Sequence, residues 1–413
     1  MPSRKQNLPI VRGGFGLKDE VSETLNSEYR SDFIRHLREN DFSLQVEDLC
    51  ILLAKEFGFC YGVDRAVDYA YETQRMFPHK TIYITCEIIH NPRVNRRLRE
   101  MGFRFLSGGE AENFSYDDVQ PEDVVILPAF GASVEEMKIL SGIGCTLVDT
   151  TCGSVMNVWK RVEDNARDGY TSIIHGKYAH EETIATSSRA IQFPNGRYLI
   201  VRDEIETGIV RDYILNGGDK KTFLERFKKA ISPGFDPDRD LKRVGLANQT
   251  TMLSSESIGI SNTIEEAMLE RYGRKNIKEH FRAFETICSA TQERQDATIE
   301  LGKLKPDLLI VLGGYNSSNT NHLCEIGYMF APTYHISDVD CIISAQEIRH
   351  KPFGRSEEIV TKNWLSSGPV TVGITAGAST PDKVVEETIL SILKCRGYGT
   401  ETLFPNEKSF QTI

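Results

Sequence analysis

The sequence has little that would tie it to a membrane or to a nucleic acid. Its longest apolar run, LCILLA at residues 49–54, is far shorter than the roughly 20 residues that a membrane helix needs. Basic residues are outnumbered, with 49 Lys and Arg against 59 Asp and Glu, and they form no long cluster. The formal net charge is −10, which argues against a nucleic-acid partner. We therefore expect neither a membrane span nor nucleic-acid binding.

The first 46 residues also lack the marks of a targeting segment. They contain seven basic and seven acidic side chains, and no apolar stretch like the core of a signal peptide. Transit peptides are rich in Arg and Ser but poor in acidic residues, which excludes that class too. The sequence as it stands predicts a cytoplasmic protein.

Cysteine is too scarce for a fold held by disulfides. Nine cysteines occur in 413 residues, and no CxxC pair is present. The missing pair argues against a zinc ribbon, a thioredoxin-type site or a ferredoxin-type cluster. Several cysteines, such as Cys50 and Cys341, lie within apolar runs, and there we expect small buried hydrophobic side chains.

Short β-rich segments alternate with amphipathic helical patterns over most of the chain. Because strand, Gly-containing turn and helix repeat in this order, the pattern predicts an α/β fold with parallel sheets. The predicted strands are 49–55, 81–86, 124–127, 146–148, 172–175, 198–201, 308–312 and 370–374. The predicted helices are 63–76, 92–101, 155–168, 291–303 and 381–394.

The length and the interruptions of this alternation predict several domains. A single core stops growing at roughly 250–300 residues, so a chain of 413 residues should contain two or three. Residues 1–46 look like an appended arm, and the charged segment 203–240, with a helical patch near 223–230, looks like a surface insertion. The predicted division is an arm at 1–46, α/β domains at 47–151, 152–287 and 288–396, and a tail at 397–413.

Three cysteines stand where a strand-like segment turns into a helix-like one. Cys60, Cys152 and Cys288 each have Gly, Ser or Thr nearby and precede a helical pattern. A helix N-terminus carries partial positive charge, which favours the thiolate that binds metal. Three thiolates suit an iron–sulfur cluster with one iron left open, since clusters usually take four cysteines. Spacing alone leaves open that these cysteines only pack in the core.

Eight motifs in a fixed order carry a resemblance to a known family. They are GFCYGVDRA, EIIHNPRVNRRL, DTTCGSVMNVW, HEETIATSS, NQTTML, TICSATQERQDA, GGYNSSNTNHL and ITAGASTPD. Over residues 50–395 they closely resemble the 4-hydroxy-3-methylbut-2-enyl diphosphate reductase (IspH/LytB) family, which ends the non-mevalonate isoprenoid pathway. The arm and the segment 203–240 are similar to the longer form of this family found in cyanobacteria and plastids.

The resemblance implies a fold, a cofactor and a reaction. It implies three similar α/β domains with small, mostly parallel sheets around a central [4Fe–4S] cluster, one per chain, held by Cys60, Cys152 and Cys288. The implied reaction removes the hydroxyl of 4-hydroxy-3-methylbut-2-enyl diphosphate with two electrons and two protons, giving isopentenyl and dimethylallyl diphosphate. An external electron donor such as ferredoxin or flavodoxin is expected, since no GxGxxG of a flavin or nicotinamide site follows a strand.

Two Gly-rich turns have the chemistry of a diphosphate site. Residues 308–322 and 373–390 each pass from a strand through a polar turn into a helix, where amides and hydroxyls face an anion. In the second turn we expect Thr380 as the N-cap and Pro381 as the first helical residue. Each turn alone would be read as an ordinary helix cap, but two of them beside three cysteine turns favour the diphosphate. The predicted ligands are Ser317, Ser318, Asn319 and Ser379.

Matching the family motifs implies roles for further residues. His90 and His180, which alone would be read as structural, become diphosphate contacts that can add positive charge. Thr250 becomes the threonine near the substrate hydroxyl. Glu182 is the predicted catalytic acid, since C–O cleavage needs a proton delivered to the leaving hydroxide. Glu181 is expected to be a solvated charge, and the two exchange roles if the register is off by one.

One position departs from the family pattern. Many shorter members have a third histidine in an SAHG-like motif, whereas residues 127–133 here read LPAFGAS, with Phe130 at that position. The change removes one diphosphate contact, and Phe130 is not a predicted site residue.

Two other functions stay open. One is a cluster-dependent hydro-lyase acting on a phosphorylated alcohol, which needs no external reductant. The other is a scaffold that carries a cluster or zinc and binds anions at its turns. Anaerobic spectroscopy distinguishes zinc from iron, and dependence on a reductant distinguishes a reductase from a hydro-lyase.

Overall fold

The structure, a computed structural model, describes residues 10–107, 114–283 and 286–399. Its strands are β1 (Ile10–Val11), β2 (Ser43–Val46), β3 (Leu49–Leu53), β4 (Ile82–Ile84), β5 (Arg104–Phe105), β6 (Val124–Leu127), β7 (Thr146–Asp149), β8 (Thr171–His175), β9 (Arg197–Val201), β10 (Val244–Asn248), β11 (Phe281–Arg282), β12 (Leu308–Leu312), β13 (Thr333–Ile336), β14 (Glu347–His350), β15 (Ile359–Lys362) and β16 (Val370–Ala376). Its helices are α1 (Lys18–Tyr29), α2 (Asp32–Glu39), α3 (Tyr61–Met76), α4 (Pro92–Glu100), α5 (Val134–Ile143), α6 (Gly153–Arg167), α7 (Glu181–Ala190), α8 (Glu204–Asn216), α9 (Lys220–Arg226), α10 (Pro237–Asp240), α11 (Ser254–His280), α12 (Ser289–Lys303), α13 (Ser318–Tyr328) and α14 (Asp382–Cys395).

The chain divides into two compact units. Unit 1 consists of Met1–Gly16, Arg65–Ile88 and Arg99–Thr291, and unit 2 of Leu17–Asp64, Ile89–Leu98 and Gln292–Ile413. The division into three domains with the boundaries given above stays a prediction.

Unit 1 contains two parallel sheets. One has the strand order β1-β7-β6-β4-β5 and the other the order β11-β10-β8-β9, and neighbouring strands are parallel throughout. Every residue of β6 and of β8 is buried. Parallel strands are usually covered on both faces, which is why they read as continuous apolar runs in the sequence.

Unit 2 contains a five-stranded sheet with the order β13-β12-β16-β3-β2. Only the β2–β3 pair at its edge is antiparallel. Its core is built from alternate apolar residues of these strands, such as Leu49, Ile310 and Ile374, and from helix residues such as Ile389. The strands β14 and β15 form a separate antiparallel pair.

The predicted α/β fold with small, mostly parallel sheets is confirmed. Each predicted strand and helix is present, with bounds within two residues of those predicted. Several further elements were not predicted, among them strands β10 and β13 and helix α11. Helix α11 contains a kink at Gly273, where φ is 74°. Within the described ranges, no helix combines the length and the apolar character that crossing a membrane requires.

The predicted arm has regular structure over its described residues. Helices α1 and α2 follow β1, and β2 pairs with β3 of the unit 2 sheet. Ser31 caps α2 by accepting a hydrogen bond from Ile34 N. Phe33, Ile34 and Leu37 of α2 are buried in the unit 2 core. The segment is therefore part of that core and not only an appended arm.

The segment 203–240 also contributes to a core. It forms α8, α9 and α10, and its aromatic residues Tyr213, Phe223, Phe227 and Phe235 are buried in unit 1. The rings of Tyr213 and Phe223 lie 4.7 Å apart, measured between centroids. Charged residues separate these aromatic residues in the sequence, so the segment looked like a surface insertion. The apolar face that the aromatic residues form becomes visible only in the folded helices.

Candidate functional site

Cys60, Cys152 and Cys288 each stand directly before a helix. Helices α3, α6 and α12 begin at the next residue, and all three thiols are half-buried. Cys152 is the N-cap residue of α6, and its side chain makes no capping hydrogen bond. The position before a helix favours a thiolate, because the free N–H groups and the helix dipole stabilise negative charge there.

Five other cysteines are poor candidates for metal ligands, because burial disfavours their thiolate form. Burial raises the pKa of Cys145 to about 11 and that of Cys324 to about 12. The same cause raises the pKa of the Cys86, Cys50 and Cys395 thiols. Metals bind the thiolate, so these five residues are poor candidates for ligands.

In unit 1, Glu182, Thr250 and Cys288 are joined by hydrogen bonds. Thr250 N donates to Glu182 Oε1 at 2.6 Å, and Thr250 Oγ1 donates to Glu182 Oε2 at 2.9 Å. Cys288 N donates to the Thr250 carbonyl at 3.3 Å. Glu182 is 2% exposed, whereas its neighbour Glu181 is exposed. Thr250 thus fixes the orientation of a buried carboxylate and contacts a cysteine turn.

His180 is the N-cap residue of α7, and this role orients its ring. Its Nδ1 accepts a hydrogen bond from Glu182 N at 3.2 Å. A backbone N–H can only donate, so Nδ1 is the acceptor in this contact and Nε2 is the ring nitrogen that is left to donate. The ring therefore offers Nε2 as a donor, and the diphosphate contact expected of His180 stays a prediction.

Phe130 lies beside this histidine and on the loop that contacts Cys152. The rings of Phe130 and His180 are edge to face, with centroids 6.3 Å apart, and Phe130 is 7% exposed. Cys152 N donates to the Ala129 carbonyl at 2.8 Å. Phe130 was not predicted as a site residue. The set that unit 1 brings together is Cys152, Phe130, His180, Glu182, Thr250 and Cys288.

In unit 2, the turn between β12 and α13 carries Ser317, Ser318 and Asn319. Ser317 Oγ accepts from Thr320 N at 3.3 Å and from Thr320 Oγ1 at 3.0 Å. With both lone pairs used, its O–H is the group that remains for a phosphate oxygen. Asn319 is 2% exposed, and neither atom of its amide has a hydrogen-bond partner among the described residues. Burying an amide without hydrogen-bond partners costs folding free energy. A bound anion would accept a hydrogen bond from the amide NH2 group and so reduce this cost.

Ser379 and His90 come from distant segments and are in contact in unit 2. Ser379 Oγ donates to the His90 carbonyl at 3.1 Å, and Asn316 Nδ2 lies 3.4 Å from His90 Nδ1. Cys60 N donates at 3.1 Å to the carbonyl of Ala378, which precedes Ser379. The Cys60 turn, both Gly-rich turns and His90 are therefore connected by hydrogen bonds.

The cap predicted for the second Gly-rich turn is wrong by one residue. Helix α14 begins at Asp382, with Pro381 as its N-cap residue. Thr380 Oγ1 instead donates to the Leu312 carbonyl at 3.0 Å, and Gly377 N donates to the same carbonyl at 2.8 Å. The turn is thus attached to the end of β12, where the first Gly-rich turn begins.

Sequence reasoning missed two arginines that contact the cysteine turns. Arg65 and Arg294 lie inside the motifs GFCYGVDRA and TICSATQERQDA, five and six residues after a cysteine. That spacing is the only indication in the sequence, and it does not show which backbone atoms the side chains reach.

Comparison with known proteins gives consistent matches. A family model described as LytB protein matches residues 51–393. The 4-hydroxy-3-methylbut-2-enyl diphosphate reductase of Microcystis aeruginosa is 54% identical over 382 residues, which cover 92% of this chain and 93% of that relative. The reductase of the same name from Thermosynechococcus vestitus is 53% identical over 390 residues, covering 94% and 95%.

A solved structure shares the fold. It is the E-1-hydroxy-2-methyl-but-2-enyl-4-diphosphate reductase of Plasmodium falciparum, with a TM-score of 0.60 and 21% sequence identity. The match covers 84% of this chain and 90% of that chain.

Proposed function

The chain belongs to the LytB protein family, and from this premise we propose that it is a 4-hydroxy-3-methylbut-2-enyl diphosphate reductase. In the proposed reaction two electrons and two protons enter, the C–O bond to the hydroxyl breaks, and one water leaves. The products are isopentenyl diphosphate and dimethylallyl diphosphate. The proposal is supported by relatives of this name that match over more than nine-tenths of their length.

Cys60, Cys152 and Cys288 are the residues that would hold one [4Fe–4S] cluster per chain. They fit such a group because each is a half-buried thiol, outside any disulfide, that stands directly before a helix, whereas burial disfavours the thiolate at five other cysteines. When bound, the cluster supplies the electrons for the reduction and a Lewis-acidic iron with an open position. An external donor such as ferredoxin or flavodoxin would deliver those electrons.

The observation that carries the proposal is the buried carboxyl group of Glu182, linked through Thr250 to the Cys288 turn. Hydroxide is a poor leaving group, so the C–O bond breaks readily only when the oxygen receives a proton. Glu182 is oriented by two hydrogen bonds and is 2% exposed, which keeps bulk water away from its carboxyl group. The Thr250 hydroxyl contacts this carboxyl group and is able to pass a proton between it and the substrate oxygen.

Binding of the diphosphate needs donors at fixed positions, because the chain carries a net charge of −10 that repels an anion. Ser317 offers its O–H, Asn319 its buried amide and His180 its Nε2–H. Ser379 now donates to the His90 carbonyl, so its hydroxyl must rotate before it donates to phosphate. Ser318, His90 and these four residues form the proposed diphosphate-binding set, and Thr250 is the proposed contact to the substrate hydroxyl.

The test is anaerobic turnover with and without a reductant. Protein reconstituted with iron and sulfide is mixed with 4-hydroxy-3-methylbut-2-enyl diphosphate, and the products are separated and quantified. We expect both diphosphate products when a strong artificial donor is present and none when it is left out. A product of water loss or water addition that forms without a reductant would contradict the proposal and favour a hydro-lyase. Ferredoxin and flavodoxin, compared at equal concentration, then identify the better donor.

A further inference from the structure

Arg294, on helix α12, holds the turn that leads into Cys60. Its Nε and Nη2 donate to the Gly58 carbonyl at 3.2 and 2.8 Å, and Nη2 also donates to the Phe59 carbonyl at 3.3 Å. Arg294 is 4% exposed. Gly58 has φ of 81°, and a Cβ there would lie 2.9 Å from Asp382 Oδ1, so the turn has little room to rearrange. The guanidinium thus fixes the two carbonyls that precede a predicted ligand.

Arg65, on helix α3, makes the corresponding contact at another cysteine turn. Its Nη2 donates at 3.0 Å to the carbonyl of Thr151, the residue directly before Cys152. Its guanidinium also lies over the ring of Tyr69, 5.3 Å from the centroid, which fixes its direction. Asp149 anchors the same turn by accepting from Thr151 N at 3.0 Å.

The two contacts share one pattern. Each arginine lies on the helix that follows one predicted ligand, Arg65 after Cys60 and Arg294 after Cys288, and bonds to the backbone before a different ligand. We propose that Arg65 and Arg294 are positioning residues that hold the turns of Cys152 and Cys60 in the geometry that binds the cluster. This inference rests on the proposed function, because it assumes that these cysteines are ligands.

The chemistry of the contacts explains why arginine is used. A carbonyl next to a ligand residue controls the backbone direction, and hence where the sulfur points. The planar guanidinium presents several N–H donors at once, so one side chain can hold two neighbouring carbonyls, which a lysine ammonium does with less geometric control. Residues that orient metal ligands typically contribute 10–100-fold to metal affinity, so we expect roughly this effect here.

The experiment measures how firmly the holoprotein keeps its iron. Wild type and the variants Arg294→Gln, Arg294→Lys and Arg65→Gln are reconstituted anaerobically, and the release of iron to a ferrous chelator is followed. The matched control is Arg243→Gln, since Arg243 also donates to two backbone carbonyls, Glu279 O at 2.9 Å and Asp168 O at 3.1 Å, and contacts none of the three cysteine turns. The electron paramagnetic resonance spectrum of the reduced protein is recorded for each variant.

We expect Arg294→Gln and Arg65→Gln to release iron about 10–100-fold faster than wild type and to show an altered spectrum. Arg294→Lys should fall between wild type and Arg294→Gln, and Arg243→Gln should match wild type. If Arg294→Gln does not fold, Arg294→Lys and Arg65→Gln decide the question. Wild-type release rates and spectra in these variants would overturn the inference, and so would an equal loss in Arg243→Gln. A wild-type protein that binds no cluster would instead refute the proposed function.

Discussion

Replacing Glu182 by Gln changes proton delivery while disturbing the site little. The glutamine oxygen can still accept from Thr250 N, but its NH2 group would face Thr250 Oγ1, whose hydroxyl must turn to accept. A hydrogen bond to a charged group contributes about 1.5–3 kcal/mol and a neutral one about 0.5–1.5 kcal/mol. Because both contacts become neutral, the substitution should lower the free energy of unfolding by about 2 kcal/mol. Substrate affinity should stay near that of wild type, because Glu182 is not among the diphosphate donors.

Turnover should respond far more strongly than stability. An amide cannot donate a carboxylic proton, so we expect the rate to fall by about 10²–10⁴-fold, the usual range for losing a general acid. This corresponds to about 2.7–5.4 kcal/mol in the activation barrier. The assay is steady-state reduction under anaerobic conditions with an excess of a strong artificial donor, so that electron supply is not limiting.

Glu181→Gln is the matched control, because Glu181 is the exposed neighbour of the buried carboxylate. It should lose little activity. If Glu182→Gln turns over like wild type while Glu181→Gln fails, the assignment is off by one residue. If neither variant is impaired, the proton comes from another source, such as the diphosphate of the substrate, and the reasoning about Glu182 is refuted.

Three further predictions concern the cluster, the substrate turns and the pH dependence of stability. Replacing any one of the predicted ligands Cys60, Cys152 and Cys288 by serine should abolish the cluster and the activity, whereas Cys324→Ser should keep both. Iron content and the visible spectrum measure the cluster, and anaerobic turnover measures the activity. Asn319→Ala and Ser379→Ala should each weaken substrate binding by roughly 10–100-fold with the cluster spectrum intact, and unchanged affinity in both would remove the diphosphate from these turns. Burial lowers the pKa of His335 to about 4, although the Gly313 carbonyl opposes this by accepting from Nε2 at 2.9 Å. Because the unfolded pKa is about 6.5, stability on the order of 3 kcal/mol should be lost as pH falls from about 6.5 to about 4, and urea unfolding of His335→Gln should lack this part of the pH dependence.

Much of the fold was predictable because it depends on local patterns. Buried parallel strands such as β6 and β12 are continuous runs of Val, Ile and Leu, which require no knowledge of their neighbours. Strand β10 reads VGLAN, with Gly and Asn at two of five positions, so its own sequence does not favour a strand. It is a strand because β8 and β11 pair with it on either side, a long-range property that a local pattern does not contain.

The sequence named residues that the fold brings into contact, but it did not contain the contacts themselves. The motifs named Glu182, Thr250 and Cys288, yet the hydrogen bonds that join them link residues 68 and 38 positions apart. The orientation of the His180 ring follows from the N-cap hydrogen bond, which only the backbone geometry reveals. The role of Arg294 was hidden for the same reason, because its targets, Gly58 and Phe59, lie more than 230 residues away.

The central claim is that electrons stored on this protein remove the hydroxyl of the substrate. The most direct measurement counts electrons against product. The reconstituted protein is mixed anaerobically with 4-hydroxy-3-methylbut-2-enyl diphosphate and a known, limiting amount of a strong reduced donor, and the visible spectrum and the products are followed together. We predict that the spectrum returns to that of the oxidised protein as isopentenyl and dimethylallyl diphosphate form, with one product molecule for every two electrons lost. A spectrum that stays reduced in the presence of substrate, or product that forms without reoxidation, would contradict the account.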